Sequence, residues 1–156
     1  FIVKWNHVVK PNSRSHTPII IEDLYPTLLS MAGIKHYHVP QTIDGKDITP
    51  ILRGRQQGFE QRQLVWNYPN IWDGEGLGIS LNCAIREGKW KLIYSYLTGN
   101  KELYNLSTDL SENHDLAPSH PKLVAHLFHH LTTRLRKMKA QQPIVAHKKG
   151  VSPKTQ

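Results

Sequence analysis

Cysteine is almost absent. Cys83 stands alone, so no intramolecular disulfide can form and no cysteine pair is available to grip zinc. Long apolar runs are missing too, and nothing approaches the ~20 residues that a membrane-spanning helix needs. There is no Gly-rich phosphate loop, no Gly-x-Ser-x-Gly elbow and no His-Glu-x-x-His pair of metal ligands. These gaps remove nucleotide hydrolysis, serine-esterase chemistry and the common zinc-protease chemistry from consideration. Acidic residues are outnumbered, 12 against 20 Lys and Arg, which leaves a formal net charge of +8. Much of the excess falls late, at Arg134, Arg136, Lys137, Lys139, Lys148, Lys149 and Lys154. That balance favours anionic partners, with a solvated helix face and a basic tail as the plainer explanation.

The chain opens on Phe-Ile-Val-Lys-Trp, without the basic flank and small-residue cleavage site of a signal peptide. It reads as a strand entered in mid-course, so the chain is expected to be a fragment with any export signal upstream. Residues 19–32 mix Ile, Leu and Met at helical spacing. The regular helix is expected to begin near Asp23, because Pro26 is tolerated only in a first turn, and to end at Gly33. Asp44-Gly45 carries a turn signal, and 47–52 can make a helical turn or two before Gly54.

From Gln63 the pattern changes to strands. Residues 63–66, 82–86, 89–97 and 102–105 are predicted strands, with Glu87-Gly88 joining the middle two in a tight hairpin. Trp90, Leu92, Tyr94 and Tyr96 alternate with Lys91, Ile93 and Ser95, which predicts one packed face and one mixed face. Trp66 is expected in the core. Residues 121–139 form the clearest helix, capped by Ser119, with a stripe of Leu123, Val124, Leu127, Phe128, Leu131, Leu135 and Met138. The expected fold is α+β: a small antiparallel sheet of about four strands, packed by the long C-terminal helix. The expected divisions are 1–55, a trailing strand and helix of a larger catalytic domain; 56–140, a C-terminal subdomain; and 141–156, a basic flexible tail.

Candidate chemistry is sparse. His126 and His130 lie one helical turn apart and His129 beside them, but no carboxylate at suitable sequence spacing accompanies them, so no metal site is assigned. Cys83 sits inside an alternating strand, as a small buried residue does. Asp44 and Asp47 are explained by a turn and a helix cap. Lys89-Trp90-Lys91 with Tyr94 and Tyr96 is the nearest approach to a base-stacking basic surface, yet these aromatics are expected under the helix. Neither nucleic acid nor a membrane is expected as a partner. The 67–80 segment reads as a long loop rich in glycine and aromatics, and such loops often bind flat sugar rings.

Several phrases, taken in order, resemble the sulfatases. They are Phe1-Ile2-Val3-Lys4-Trp5; Asp23-Leu24-Tyr25-Pro26-Thr27-Leu28-Leu29 with Ala32-Gly33-Ile34; and Asp44-Gly45-Lys46-Asp47-Ile48-Thr49-Pro50 through Gly54. Then come Trp66-Asn67-Tyr68-Pro69; Ala84-Ile85-Arg86-Glu87-Gly88-Lys89-Trp90-Lys91-Leu92-Ile93; and Glu102-Leu103-Tyr104-Asn105-Leu106 with Asp109, Glu112 and Leu116-Ala117. Each block is weak alone; the ordered set covers about 1–117 and is specific.

The resemblance implies hydrolysis of sulfate esters through a formylglycine made from the first residue of a C/S-x-P-x-R motif, beside a Ca²⁺. Both belong to the family's N-terminal domain. No such motif occurs here, and Cys83-Ala84-Ile85-Arg86 fails it, so no catalytic or metal residue is carried over and this chain alone is expected to be inactive. The resemblance leaves this part the tasks of completing the fold and shaping the cleft, with Asn67, Tyr68, Asn70 and Trp72 as the substrate-binding candidates. Asn67 stands where many family members have His. The implied substrate is a sulfated small molecule or sulfated glycan, and the implied location is exported: periplasmic, extracellular or lysosomal. The alternatives are a phosphoric-ester hydrolase of the same superfamily and a stand-alone basic module that binds glycan or nucleic acid. A homodimer through the exposed 1–5 strand is a further expectation.

Overall fold

A computed structural model describes residues 1–34, 36–55, 58, 59, 62–70 and 81–143. The chain divides into two compact units, Phe1–Arg62 and Gln63–Gln156.

In the first unit a 3₁₀ turn at Ile21–Asp23 leads into helix α1, Leu24–Met31. Gly33 follows with φ +77, the left-handed conformation that closes a helix. Helix α2, Thr49–Leu52, is short. Asp47 prepares its start by accepting the Thr49 N–H at 2.8 Å and the Thr49 hydroxyl at 2.9 Å, as a cap does. The apolar core is small: Ile48, Ile51 and Phe59, with Ile19 and Leu52 against them.

Two expectations are corrected in this unit. Residues 1–5 are not a strand. An apolar run reports a wish for burial but names no ladder partner. The chain instead turns back after it, with the N–H groups of Val8 and Val9 bonded to the Trp5 carbonyl. Asp44-Gly45 is not a turn either. A Cβ on Gly45 would lie 1.9 Å from the Glu22 carbonyl oxygen, so glycine is required there by the close approach of two backbones.

The second unit is the expected α+β layer. Strands β1 (Gln63–Tyr68), β2 (Asn82–Glu87), β3 (Trp90–Ser95) and β4 (Lys101–Asn105) form an antiparallel sheet in that order. The β2–β3 hairpin turns through Gly88, whose φ is +55. Register places Gln63 opposite Glu87, Val65 opposite Ile85, and Asn67 opposite Cys83. It continues with Glu87 opposite Trp90, Ile85 opposite Leu92 and Cys83 opposite Tyr94.

Helix α3, Pro121–Lys137, lies on that face. Leu127, Leu131 and Leu135, four residues apart, pack on Cys83, Ile85, Leu92 and Leu103 in one core. Basic Arg134, Arg136 and Lys137 close the helix, where its dipole favours cations. The other sheet face is mixed: Leu64, Ala84 and Tyr104 are buried.

Three details depart from expectation. Trp66 is only half-buried and lies outside the core cluster. Met138 falls just past the helix and is exposed. Ser119 does not cap α3: it belongs to a 3₁₀ turn, Ala117–Ser119, and its hydroxyl donates to the Leu116 carbonyl at 3.0 Å. Among the described residues no helix is long and apolar enough to cross a membrane.

Candidate functional site

Three of the four sequence candidates, Asn67, Tyr68 and Asn70, lie at or just beyond the C-terminal end of β1. Successive strand residues face opposite ways, so Asn67 points to the α3 face and Tyr68 to the other. Asn67 is fully engaged. Its Oδ1 accepts the Tyr96 hydroxyl at 2.7 Å, and its Nδ2 donates to the Gln141 carbonyl at 2.9 Å. The Gln141 side chain in turn donates to Asn70 Oδ1 at 3.4 Å. Asn67 and Asn70 are thereby brought to one place, where they tie the strand end to the chain leaving α3. Tyr68 stands apart with 57% of its surface exposed. Trp72 and the rest of the loop, 71–80, lie outside the described residues, as do residues 144–156 of the tail.

Cys83 is buried directly beneath this end of the sheet. Burial pushes its thiol up, against a hydrogen bond with Tyr96 that works the other way. A thiol held protonated is a poor nucleophile, which agrees with a packing role. Burial likewise drives the Tyr96 phenol upward, reinforced by Cys83, so Tyr96 stays a donor to Asn67.

A second polar centre lies in the first unit. Asp23 is wholly buried. Its carboxylate accepts the Ile20 N–H at 3.0 Å and the Lys46 N–H at 2.8 Å, and both terminal nitrogens of Arg62 at 2.6 Å. Burial raises this carboxyl. The Arg62 bonds, the two backbone donors and the Arg62 charge outweigh it, and hold the group below the ordinary carboxylate range. Thr27 extends the network, donating to the Asp23 carbonyl at 2.5 Å and accepting the Ile48 N–H at 3.0 Å. Every bond is internal, so this is a staple rather than a reaction centre. Sequence reasoning took Asp23 only as a helix start and missed Arg62, which lies 39 positions away.

A third cluster joins the hairpin to α3. Glu87 Oε1 lies 2.6 Å from His130 Nδ1 and 2.6 Å from Gln63 Nε2, and Gln63 Nε2 is 3.1 Å from the same His130 nitrogen. The ring of His126 sits 4.1 Å from that of His130, centroid to centroid. The carboxylate missing from the sequence reading of the histidines is supplied by β2. The residues Asp109, Glu112 and Asp115 serve the scaffold. Asp109 accepts the N–H groups of Asn113 and His114. Glu112 pairs with Lys91 at 2.5 Å, and Asp115 receives the N–H groups of Leu103 and Ala117.

None of these groups fits formylglycine or Ca²⁺. The lone thiol is enclosed in β2, and the one group of potential ligands among the described residues is built on imidazoles rather than the oxygens a calcium ion takes.

Comparison with known proteins agrees with this geometry. The family described as "N-sulphoglucosamine sulphohydrolase, C-terminal" matches residues 1–141. A sulfatase of Formosa agariphila is 34% identical over 128 residues, which cover 77% of this chain and 23% of that protein. An ulvan-active sulfatase of the same organism is 28% identical, covering 75% of this chain and 28% of that one. Among solved structures, a 2-O GAG sulfatase superposes with a TM-score of 0.58 at 27% identity, over 76% of this chain and 25% of that chain. The chain thus spans about a quarter of the length of the relatives it matches. With a matching sheet and helix and a match from residue 1 to residue 141, the chain belongs to the family of N-sulphoglucosamine sulphohydrolase C-terminal regions, a C-terminal portion of the sulfatases within the alkaline phosphatase superfamily.

Proposed function

We propose that this chain is the C-terminal part of a sulfuric ester hydrolase, where it completes the fold and shapes the substrate cleft. The family match over residues 1–141 carries the reading. The nucleophile and Ca²⁺ of such an enzyme are assigned to the longer protein, because the sequence has no C/S-x-P-x-R motif and no group among the described residues suits the ion. The substrate class is a sulfated glycan. Relatives that act on ulvan and on GAG, and the chain's net charge of +8, support it. An exported location and self-association of the isolated chain through exposed Phe1 and Ile2 belong to the same proposal.

Within the cleft, Tyr68 offers an exposed ring for a sugar face, with Asn70 and, by its residue type alone, Trp72 as the further substrate-binding candidates. Asn67 acts as a positioning residue, since both ends of its amide are already bonded. Two measurements test the reading. Aryl sulfate hydrolysis with Ca²⁺ is followed for this chain and for the full-length protein side by side, with a phosphate monoester as the competing substrate. Sulfate turnover by the longer protein alone is expected. Turnover by this chain, or a preference for phosphate, overturns the assignment. In the full-length protein, Tyr68→Ala is expected to raise KM for a sulfated oligosaccharide while leaving the small aryl sulfate unaffected.

A further inference from the structure

The cluster of Glu87, His126 and His130 has a composition that a simple ion pair does not explain. His130 and Glu87 already satisfy each other at 2.6 Å. His126 adds a second imidazole but forms no hydrogen bond or ion pair among the described residues; its one partner is the His130 ring. Residues four apart on a helix lie one above the other, so the two imidazoles share an edge of α3. One ligand atom from each of the three residues falls within 4.8 Å of the others. Gln63, opposite Glu87 in the β1–β2 register, bonds the Glu87 oxygen and orients it before any ion arrives.

We propose that Glu87, His126 and His130 form a site for a divalent first-row metal ion, Zn²⁺ by chemistry, which clasps the β2–β3 hairpin to helix α3. Two neutral imidazoles and one carboxylate are borderline ligands that suit Zn²⁺ and disfavour Ca²⁺ or Mg²⁺. Metal–ligand distances of about 2.0–2.2 Å place tetrahedral ligand atoms about 3.3 Å apart. The Glu87–His130 contact therefore opens slightly on binding while the His126 nitrogen closes in, both by side-chain rotation. His130 is about one-third exposed and Glu87 about one-fifth, so a water reaches the fourth position. Gln63 stands behind the carboxylate as an outer partner that fixes its direction. The clasp lies at the hairpin turn, whereas Asn67 and Tyr68 lie at the far end of β1, so the ion's task here is to hold the layer together.

The test uses the 156-residue chain without a histidine tag. Zn²⁺ is titrated in competition with a chromogenic chelator, and Co²⁺ replaces it for the visible absorption of a tetrahedral nitrogen–oxygen site. One equivalent of Zn²⁺ is expected. His126→Ala, His130→Ala and Glu87→Gln are each expected to weaken binding at least about a hundredfold, and Gln63→Ala about tenfold. His129→Ala and His36→Ala, which remove histidines outside the cluster, are expected to leave it unchanged. His126 is exposed and makes no hydrogen bond or ion pair among the described residues, so its variant is expected to keep the fold and the test stays decisive. Failure to bind Zn²⁺ stoichiometrically, or unchanged affinity in His126→Ala, overturns the site. Neither readout involves turnover, so the sulfatase reading stands or falls separately.

Discussion

The two units solve the same problem with different materials. Gln63–Gln156 buries Cys83, Ile85, Leu92, Leu103, Leu127, Leu131 and Leu135 in one cluster between a sheet and a helix. Among the described residues of Phe1–Arg62 the buried apolar cluster is smaller, Ile48, Ile51 and Phe59, and a buried charged pair lies in the same unit. It also leaves Phe1, Ile2, Ile21, Tyr25, Leu28, Ile34 and Tyr37 exposed, against Tyr68, Leu97, Leu110 and Met138 in the other unit. Apolar mass supplies free energy without direction. A bidentate ion pair supplies direction, and its net free energy is small because both charges are desolvated. The second unit is thus built to be stable by itself. The first takes its direction from the Asp23–Arg62 pair and leaves much of its apolar surface exposed.

The sharpest way to break this contrast is at Arg62. Arg62→Ala leaves the Asp23 carboxylate buried without its counter-charge, which costs about 3–5 kcal/mol. Hydrogen exchange is expected to lose protection across 20–34 while 121–137 keeps its own. Acid probes the same staple. Asp23 sits below its ordinary value in the fold, so its stabilisation is complete above the unfolded value of about 4 and is lost as pH falls through the folded value. Exchange corrected for intrinsic rate is expected to fail first in the Asp23 segment as pH drops below about 4. Simultaneous loss in both units would show that they do not differ in this way.

Leu131→Ala attacks the other side of the comparison. Leu131 is fully buried at the middle of the α3 stripe, and truncation is expected to cost about 2–5 kcal/mol through lost transfer and an unfilled cavity. Urea denaturation followed by circular dichroism should show a lower midpoint with the slope unchanged. A smaller cost would mean that the second unit is less tightly packed than its burial indicates. Gly45→Ala returns to the first unit. Its new methyl meets the Glu22 backbone, and the strain is expected to cost about 1–3 kcal/mol. Protection should fall at 20–25, where the two backbones touch.

The contrast between the units also governs what the sequence disclosed. Alternation in β3, the Gly88 hairpin and the Leu127–Leu131–Leu135 spacing are local signals, and each folds as its period demands. The first unit depends on meetings between distant residues: Arg62 with Asp23, and Gly45 with Glu22. No local period encodes either, so the apolar run at 1–5 reads locally as a strand and Asp44-Gly45 as a turn, and neither forms. The site followed the same rule. The histidine pair was visible as a one-turn repeat, but its carboxylate is 43 positions from His130 and arrives only through the sheet register. Asn67 was visible through the family phrase, while its bonds to Tyr96 and Gln141 were not.

The smallest expected effect concerns the entry to α3. Ser before a helix that starts with Pro ordinarily reads as its cap, and losing such a cap costs about 1 kcal/mol. Here the hydroxyl of Ser119 points backwards to the Leu116 carbonyl and makes no bond to the first turn of the helix. Pro121 has no N–H to satisfy, and His120 occupies the capping position with its ring 5.5 Å from that of Trp90. The Ser119 hydroxyl also meets His120 Nδ1 at 2.8 Å but gives no helix N–H an acceptor, so the helix start rests chiefly on packing against β3. Ser119→Ala is therefore expected to change the urea midpoint by less than about 0.5 kcal/mol. Trp90→Ala, which removes the surface under His120, should open the first turn to exchange. A full cap's worth of loss on changing Ser119 would reverse that order, and with it the view that this unit draws its definition from apolar contact.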